Sequence, residues 1–245
     1  MVTNYFDEPV AAGYDESTEQ HFAPEHLERE SALLAELAAP GNRALEFAIG
    51  TGRIAVPLAR RGVEVAGIEL SEPMVRRLRA KPEGAAMTVV IGDMTTERVS
   101  GPFDLVYLVF NTIGNVTTQD GQVAVFVNAA RHLRPGGSFV IDVGVPGFPD
   151  VPRGERFTVF DHSDPHVGID EWDAVTQQFW SHHYARDPDG RYRRSSTPFR
   201  YAWPAELDLM ARIAGLHLVD RWADWDRTPF TSASRQHISV WRKPA

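Results

Sequence analysis

Four features of this chain have the residue types and spacing to do chemistry. They are a carboxylate at Glu46, a glycine turn at Gly50-Thr51-Gly52, a second carboxylate at Glu69, and a histidine-rich stretch around His182-His183-Tyr184. Glycines at the end of a strand take backbone angles that other residues resist, and the missing Cβ lets a ligand lie against the main chain. A carboxylate can accept both hydroxyls of a ribose diol, the role expected of Glu69 at the end of the next strand. Residues 50–55 satisfy the relaxed dinucleotide fingerprint G-x-G-x-x-G/A. Glu46 argues against a dinucleotide, because a carboxylate inside the first strand near the turn would repel a pyrophosphate. It suits a cation.

The elements that must hold these residues follow from the hydrophobic pattern. Residues 44–49 read as a strand buried on both faces, and 53–61 as a helix that points its free N–H groups at the ligand. Pro57 lies in the first turns of that helix, where proline costs least. Residues 63–70 form the second strand, and Ser71 caps a helix that begins near Pro73. Residues 87–91 are the third strand, followed by Gly92-Asp93-Met94, and the apolar run 103–110 is the fourth. A helix over 118–132 leads into Leu133-Arg134-Pro135-Gly136-Gly137, a tight turn into the fifth strand at 138–143. Before them all, 26–38 is a helix stopped by Pro40-Gly41. Residues 1–20 read by composition as a polar tail that carries Tyr5 and Tyr14.

The alternation of strand and helix breaks from 144 to about 203. There 157–160, 168–175, 178–186 and 191–201 read as strands of a small antiparallel sheet, with Asp189-Gly190 as a hairpin turn. The regular pattern resumes with a helix at 205–214, a sixth strand at 216–222 and a seventh at 237–242.

Composition narrows the function. A length of 245 residues suits one α/β domain with an insertion, and 43% hydrophobic content describes an ordinary globule with no membrane-spanning run. The absence of cysteine excludes disulfides, thiolate catalysis and Cys-based zinc sites. A net charge of −8 disfavours nucleic acid or an anionic membrane as the main partner. No secretory signal is read at the N-terminus, so a cytoplasmic enzyme acting on a small molecule is expected, with no metal and with a homodimer as one possible assembly.

Glu46-Phe47-Ala48-Ile49-Gly50-Thr51-Gly52 resembles the first motif, E/D-x-G-x-G-x-G, of the class I S-adenosylmethionine-dependent methyltransferases. Ala48 departs from it at the first glycine. The Pro-Gly-Gly turn and Gly92-Asp93 follow in the order that this family uses. The resemblance is nearest to bacterial natural-product and sugar N- or O-methyltransferases. It implies a Rossmann-like, doubly wound sheet of seven strands in the order 3-2-1-4-5-7-6 with the last strand antiparallel. It also implies a lid region at 1–40, a cofactor domain at 41–145 and 204–245, and a β insertion at 146–203 over the active site. For S-adenosylmethionine, and its product S-adenosylhomocysteine, it implies that Glu46, Gly50, Thr51, Gly52 and Arg53 hold the methionyl portion and Glu69 the ribose. Leu70, Met74, Asp93 and Met94 would surround the adenine, with Tyr14, Phe110 and Asn111 at the reactive end.

Methyl transfer from a sulfonium needs alignment of nucleophile and methyl, exclusion of water, and a base where the nucleophile carries a proton. His162, His166, His182, His183 and Tyr184 are the candidates, at least one of them lining the pocket. Asp170, Glu171 and Asp173 can anchor an amine. Arg186, Arg191, Arg193, Arg194 and Arg200 can hold an anion, and both charged groups read first as solvated strand edges. An NAD-dependent oxidoreductase and a catalytically idle cofactor-binding regulator stay open as alternatives.

Overall fold

The computed structural model describes residues 4–17, 23–147, 154–187 and 189–245. Parts of the expected lid and insertion, at 1–3, 18–22 and 148–153, lie outside them. Helices α1 (Glu8–Ser17) and α2 (Pro24–Ala38) come first, and the alternating unit follows as β1 (Arg43–Phe47), α3 (Ala55–Arg60), β2 (Glu64–Glu69), α4 (Glu72–Arg79) and β3 (Thr88–Ile91). Next come β4 (Phe103–Leu108), α5 (Gln119–His132) and β5 (Leu133–Gly144). Four strands follow, β6 (Phe157–Ser163), β7 (His166–Asp173), β8 (Gln178–Arg186) and β9 (Tyr192–Arg200). The chain then closes the main sheet with α6 (Pro204–Ile213), β10 (His217–Trp222) and β11 (Gln236–Arg242).

The main sheet runs β3-β2-β1-β4-β5-β11-β10, with β11 antiparallel to both its neighbours. That is the expected order. Both faces are covered, as parallel strands without a polar face require. On one side Leu45, Phe47, Val106 and Phe139 meet Val125 and Phe126 of α5 and Leu207 of α6. On the other, Ala44, Leu105, Tyr107 and Val140 meet Leu34 of α2 and Leu58 of α3. The first core is aromatic, with Phe126 edge-on to both Phe139 and Trp241 at 5.1 Å.

Three expectations are corrected. The helix after the glycine turn begins at Ala55, two residues late, because Gly50 and Gly52 have positive φ and the residues between Gly52 and Ala55 are still turning. The fourth strand ends at Leu108, since Phe110 and Asn111 both sit at positive φ (62° and 57°) and cannot continue it. The polar N-terminal stretch contains a helix, held by tertiary contacts that composition does not reveal. Asp15 accepts a hydrogen bond from the Thr51 hydroxyl (2.6 Å) and pairs with Lys81 (3.0 Å), and the Phe6 carbonyl accepts one from Ser71.

The four strands after β5 form a separate antiparallel sheet, β6-β7-β8-β9, with the Asp189-Gly190 turn between β8 and β9. Its arginines divide. Arg186, Arg191 and Arg193 make exposed pairs with nearby aspartates, as expected of strand edges. Arg200 does not. Only 4% exposed, it bonds the Gln122 amide oxygen of α5 and pairs with Glu206 of α6 at 2.6 Å, while Gln122 returns a bond to its carbonyl. A guanidinium's planar fork suits such convergence. The buried charge therefore anchors the end of β9 to the main domain. Arg200→Ala is expected to cost about 3–5 kcal/mol, because it leaves Glu206 and Gln122 enclosed without their partner; urea denaturation measures it.

Candidate functional site

The C-terminal ends of β1, β4 and β5 carry a buried charge cluster, and the pleat explains why it collects there. Alternate residues point to one face, so Glu46 follows Ala44, Tyr107 follows Leu105 and Asp142 follows Val140 on the side covered by α2. Glu46 is 4% exposed and accepts a hydrogen bond from the Tyr107 hydroxyl at 2.8 Å. Burial pushes its carboxyl up to about 8, with the Tyr107 bond and Arg53 pulling the other way. Arg53 is buried as well; it pairs with Glu30 of α2 at 2.9 Å and lies over the Phe110 ring at 5.0 Å. Burial raises Glu30 to about 7, and it also raises Asp142, which accepts the Phe110 N–H at 3.3 Å. Three carboxyls thus feel the field of one guanidinium. Tyr14 of α1 joins them, its phenol raised by burial and pulled down by Arg53.

The glycine turn borders this cluster. Glu69 lies 6% exposed at the end of β2, and its two oxygens accept the N–H groups of Gly50 and Ser71, each at 2.8 Å. Gly50 and Gly52 both need positive φ, and a Cβ on Gly52 would stand 2.4 Å from the Leu78 side chain. Thr51 is tied to Asp15, as described above. Ala48 takes φ +54°, so the motif position that the family fills with glycine keeps a glycine's conformation here. Met74 is buried, with its methyl 3.6 Å from where a Gly50 Cβ would be.

Beside the turn lies a cavity of ≈ 450 Å³. Glu69, Leu70, Gly92, Asp93 and Met94, all singled out from the sequence motifs, line it together with Ala48. One Asp93 oxygen is used locally, accepting the Thr95 N–H at 2.8 Å. The remaining walls were not legible in the motifs. They come from the N-terminal Tyr5 and Phe6, from Thr112 and Asn115 in the turn after β4, and from Thr197 and Pro198 of β9. Asn111 does not line the cavity; its side-chain oxygen accepts the Gly144 N–H at 2.5 Å. Glu30 and Asp142 were also missed; an acid inside the apolar run of β5 was the available signal for the second.

The histidine group splits across the insertion sheet. His183 and His182 are adjacent on β8 and therefore face opposite sides. His183 bonds His166 and Ser181, whereas His182 is buried against Ser196 and lies 3.5 Å from Glu171. Tyr184 shares the His182 side, under Arg194. His162 is exposed on β6.

Against this geometry, residues 44–137 match a family described as a methyltransferase domain. The CcbJ methyltransferase of Streptomyces caelestis is 37% identical over the whole of both chains, with a TM-score of 0.86. The chain belongs to the S-adenosylmethionine-dependent methyltransferases. A cypemycin N-terminal methyltransferase from Streptomyces is 29% identical over 82% of each chain. An S-adenosylmethionine-bound amino pentose methyltransferase from Micromonospora echinaspora shares the fold, with a TM-score of 0.65 and 20% identity over 98% of this chain and 99% of that one. The nicotinamide oxidoreductase and idle-regulator readings are left without support.

The residues present fit this methyltransferase's cofactor. An excess of buried carboxyls over guanidinium suits a ligand that carries a sulfonium and an ammonium, and Glu69 and Asp93 line the cavity beside the turn. Among the described residues, no helix is long and apolar enough to cross a membrane. The cluster has a consequence for the cofactor-free enzyme. Glu46 and Glu30 hold their protons to higher pH folded than unfolded, so the native state binds more protons between about 4.5 and 8 and stability falls as pH rises through that window. Glu46→Gln is expected to flatten the decline between pH 6 and pH 9 by on the order of 1 kcal/mol or more, read from urea midpoints.

Proposed function

We propose that the enzyme transfers a methyl group from S-adenosylmethionine to an amine nitrogen of a small molecule. The observation that carries the small-molecule part is the enclosure of the cavity: strand ends form its floor, Tyr5 and Phe6 one wall, and β9 another. A space of ≈ 450 Å³ matches the size of small-ligand sites. The likeness to the cypemycin N-terminal methyltransferase over most of the chain supports nitrogen as the acceptor atom.

In this reading Glu46 takes the cofactor's ammonium, and Gly50, Thr51 and Gly52 lie along the methionyl chain. Arg53 positions that end through Glu30 and Phe110. Glu69 accepts the ribose hydroxyls while holding the turn by its Gly50 bond, and Leu70, Asp93 and Met94 meet the adenine, with Met74 supporting the turn from below. Tyr14, Phe110 and Asn111 border the reacting centre, and the sheet β6 to β9 roofs it. Bound, the cofactor supplies an electrophilic methyl group on a positively charged sulfur. The protein's part is to exclude water, orient the acceptor and accept its proton. Phe157 and Trp180, both exposed on the His182 side of the roof, support its use as a contact between two copies; light scattering reads that homodimer.

Calorimetric titration tests the cofactor assignment. S-adenosylhomocysteine is expected to bind at micromolar concentration and NADH not at all. Glu69→Ala is expected to weaken S-adenosylhomocysteine roughly 10-fold or more through its lost charge-assisted bonds, and unchanged affinity refutes the role given to Glu69. Mass spectrometry after incubation with nucleotide-linked amino sugars, peptide amines and phenols tests the acceptor; product from phenols alone rejects the amine.

A further inference from the structure

The roof sheet carries a line of hydrogen-bonding groups that cofactor binding does not use. Asp170 pairs with Ser181 and Ser181 with Thr197 across β7, β8 and β9, and residues opposite one another point to the same face. Thr197 lines the cavity. The next row on that face, Trp172, Phe179 and Phe199, stacks at 4.5 and 5.0 Å, and the Phe199 ring reaches Gly114 in the turn after β4. This face of the sheet therefore meets the main domain near the cavity.

From Asp170 the line runs outward. Ser181 stands directly opposite Asp170 across β7 and β8, and its hydroxyl lies 3.3 Å from His183 Nε2. His183 Nδ1 is 2.9 Å from His166 Nε2, and His166 Nδ1 is 2.6 Å from Asp161 Oδ2. The two ends differ. Asp170 Oδ1 is buried with no hydrogen-bond partner among the described residues, an arrangement that costs free energy until a donor arrives. The Asp161 side chain is 38% exposed to water.

We propose that Asp170, Ser181, His183, His166 and Asp161 form a proton exit, in which Asp170 takes the proton that an amine acceptor must lose and Asp161 passes it to solvent. The proposal rests on the amine reading above. An N–H bond of the acceptor ammonium breaks and an O–H bond forms on Asp170, which leaves the nitrogen lone pair for the methyl group. Asp170 then gives its proton to Ser181 Oγ as Ser181 gives its own to His183 Nε2. His183 Nδ1 gives one to His166 Nε2, and His166 Nδ1 gives one to Asp161. One proton moves in net, and neither imidazole is left charged.

The surroundings suit that direction. Burial raises Asp170, while the His166 bond and the Ser163 N–H lower Asp161, so the inner end takes protons readily and the outer end sheds them. Burial and the neighbouring His166 keep His183 low, against the pull of Asp170. From the opposite face His182 acts on both Asp170 and His183, and it is itself flanked by Glu171 and Arg194. The Phe160 ring covers His183 at 5.3 Å.

The test uses the full chain, with the two imidazoles followed by nitrogen NMR and the Asp170 carboxyl by carbon NMR. In the unmodified protein His183 and His166 are expected to exchange tautomers together over the pH range where Asp170 titrates, and Ser181→Ala or Asp170→Asn to abolish that shared transition. Imidazoles that titrate alike in all three proteins overturn the proposal. With a nucleotide-linked amino sugar or peptide amine as acceptor, Asp170→Asn is expected to lower kcat about 100-fold with S-adenosylhomocysteine affinity unchanged, and Ser181→Ala to move the acidic limb of the kcat profile. An Asp170→Asn enzyme at full rate also overturns it. Failure of the unmodified protein to bind S-adenosylhomocysteine counts against the cofactor assignment instead. Binding without methylation of any amine counts against the amine reading, and the NMR comparison still decides whether the line conducts.

Discussion

A carboxylate enclosed at the end of a parallel strand is the constraint on which the rest of this structure depends. Glu46 cannot be hydrated where β1 ends, so its surroundings must supply what water does not. Tyr107 gives it a hydroxyl because register sets the two residues side by side on neighbouring strands. Arg53 gives it a nearby positive charge, and the same guanidinium has to be shared with Glu30 and Asp142. Electrostatic interactions of this kind are strong only because the site is dry. The arrangement is short of positive charge in the free protein, which is what the proposed role of Glu46 toward a cationic cofactor rests on.

That requirement orders the neighbouring elements. Helix α2 has to cover the strand ends to bring Glu30 to Arg53, and α1 has to fold back so that Asp15 reaches Thr51 and Tyr14 enters the cluster. Glu69 does the corresponding work one strand away. Its two backbone bonds clamp the glycine turn to the start of α4, which holds the turn's positive-φ residues in place. Strain at Ala48, and at Phe110 and Asn111, is gathered around the same strand ends, and residues held in such conformations persist only where their surroundings over-determine them.

The sheet β6 to β9 obeys a different logic. Successive residues of its strands point to opposite faces, one of them carrying stacked aromatics, so neighbouring histidines are separated by the pleat and given different partners. Arg200 fixes where that sheet meets α5 and α6. Its burial is what distinguishes it from the exposed arginines of the same strands, which share its composition and spacing but none of its contacts.

The positions of the strands and the identity of the glycine turn were legible in the amino-acid sequence, because buried parallel strands need unbroken apolar runs and a turn of this kind needs glycine; the sheet order came only through the resemblance to the methyltransferases. Glu46, Glu69 and Asp93 were legible too, since each is a carboxylate set against an apolar or glycine neighbour at a strand end. The N-terminal helix was not. Its stability comes from contacts with Thr51, Ser71 and Lys81, residues distant in the chain, and nothing local marks it. The same holds for Glu30 and Arg200, which read as surface charges until their partners are known. Local pattern records what a segment needs from its own backbone. Which charges end up buried together is decided by packing between segments, and only the tertiary structure contains that.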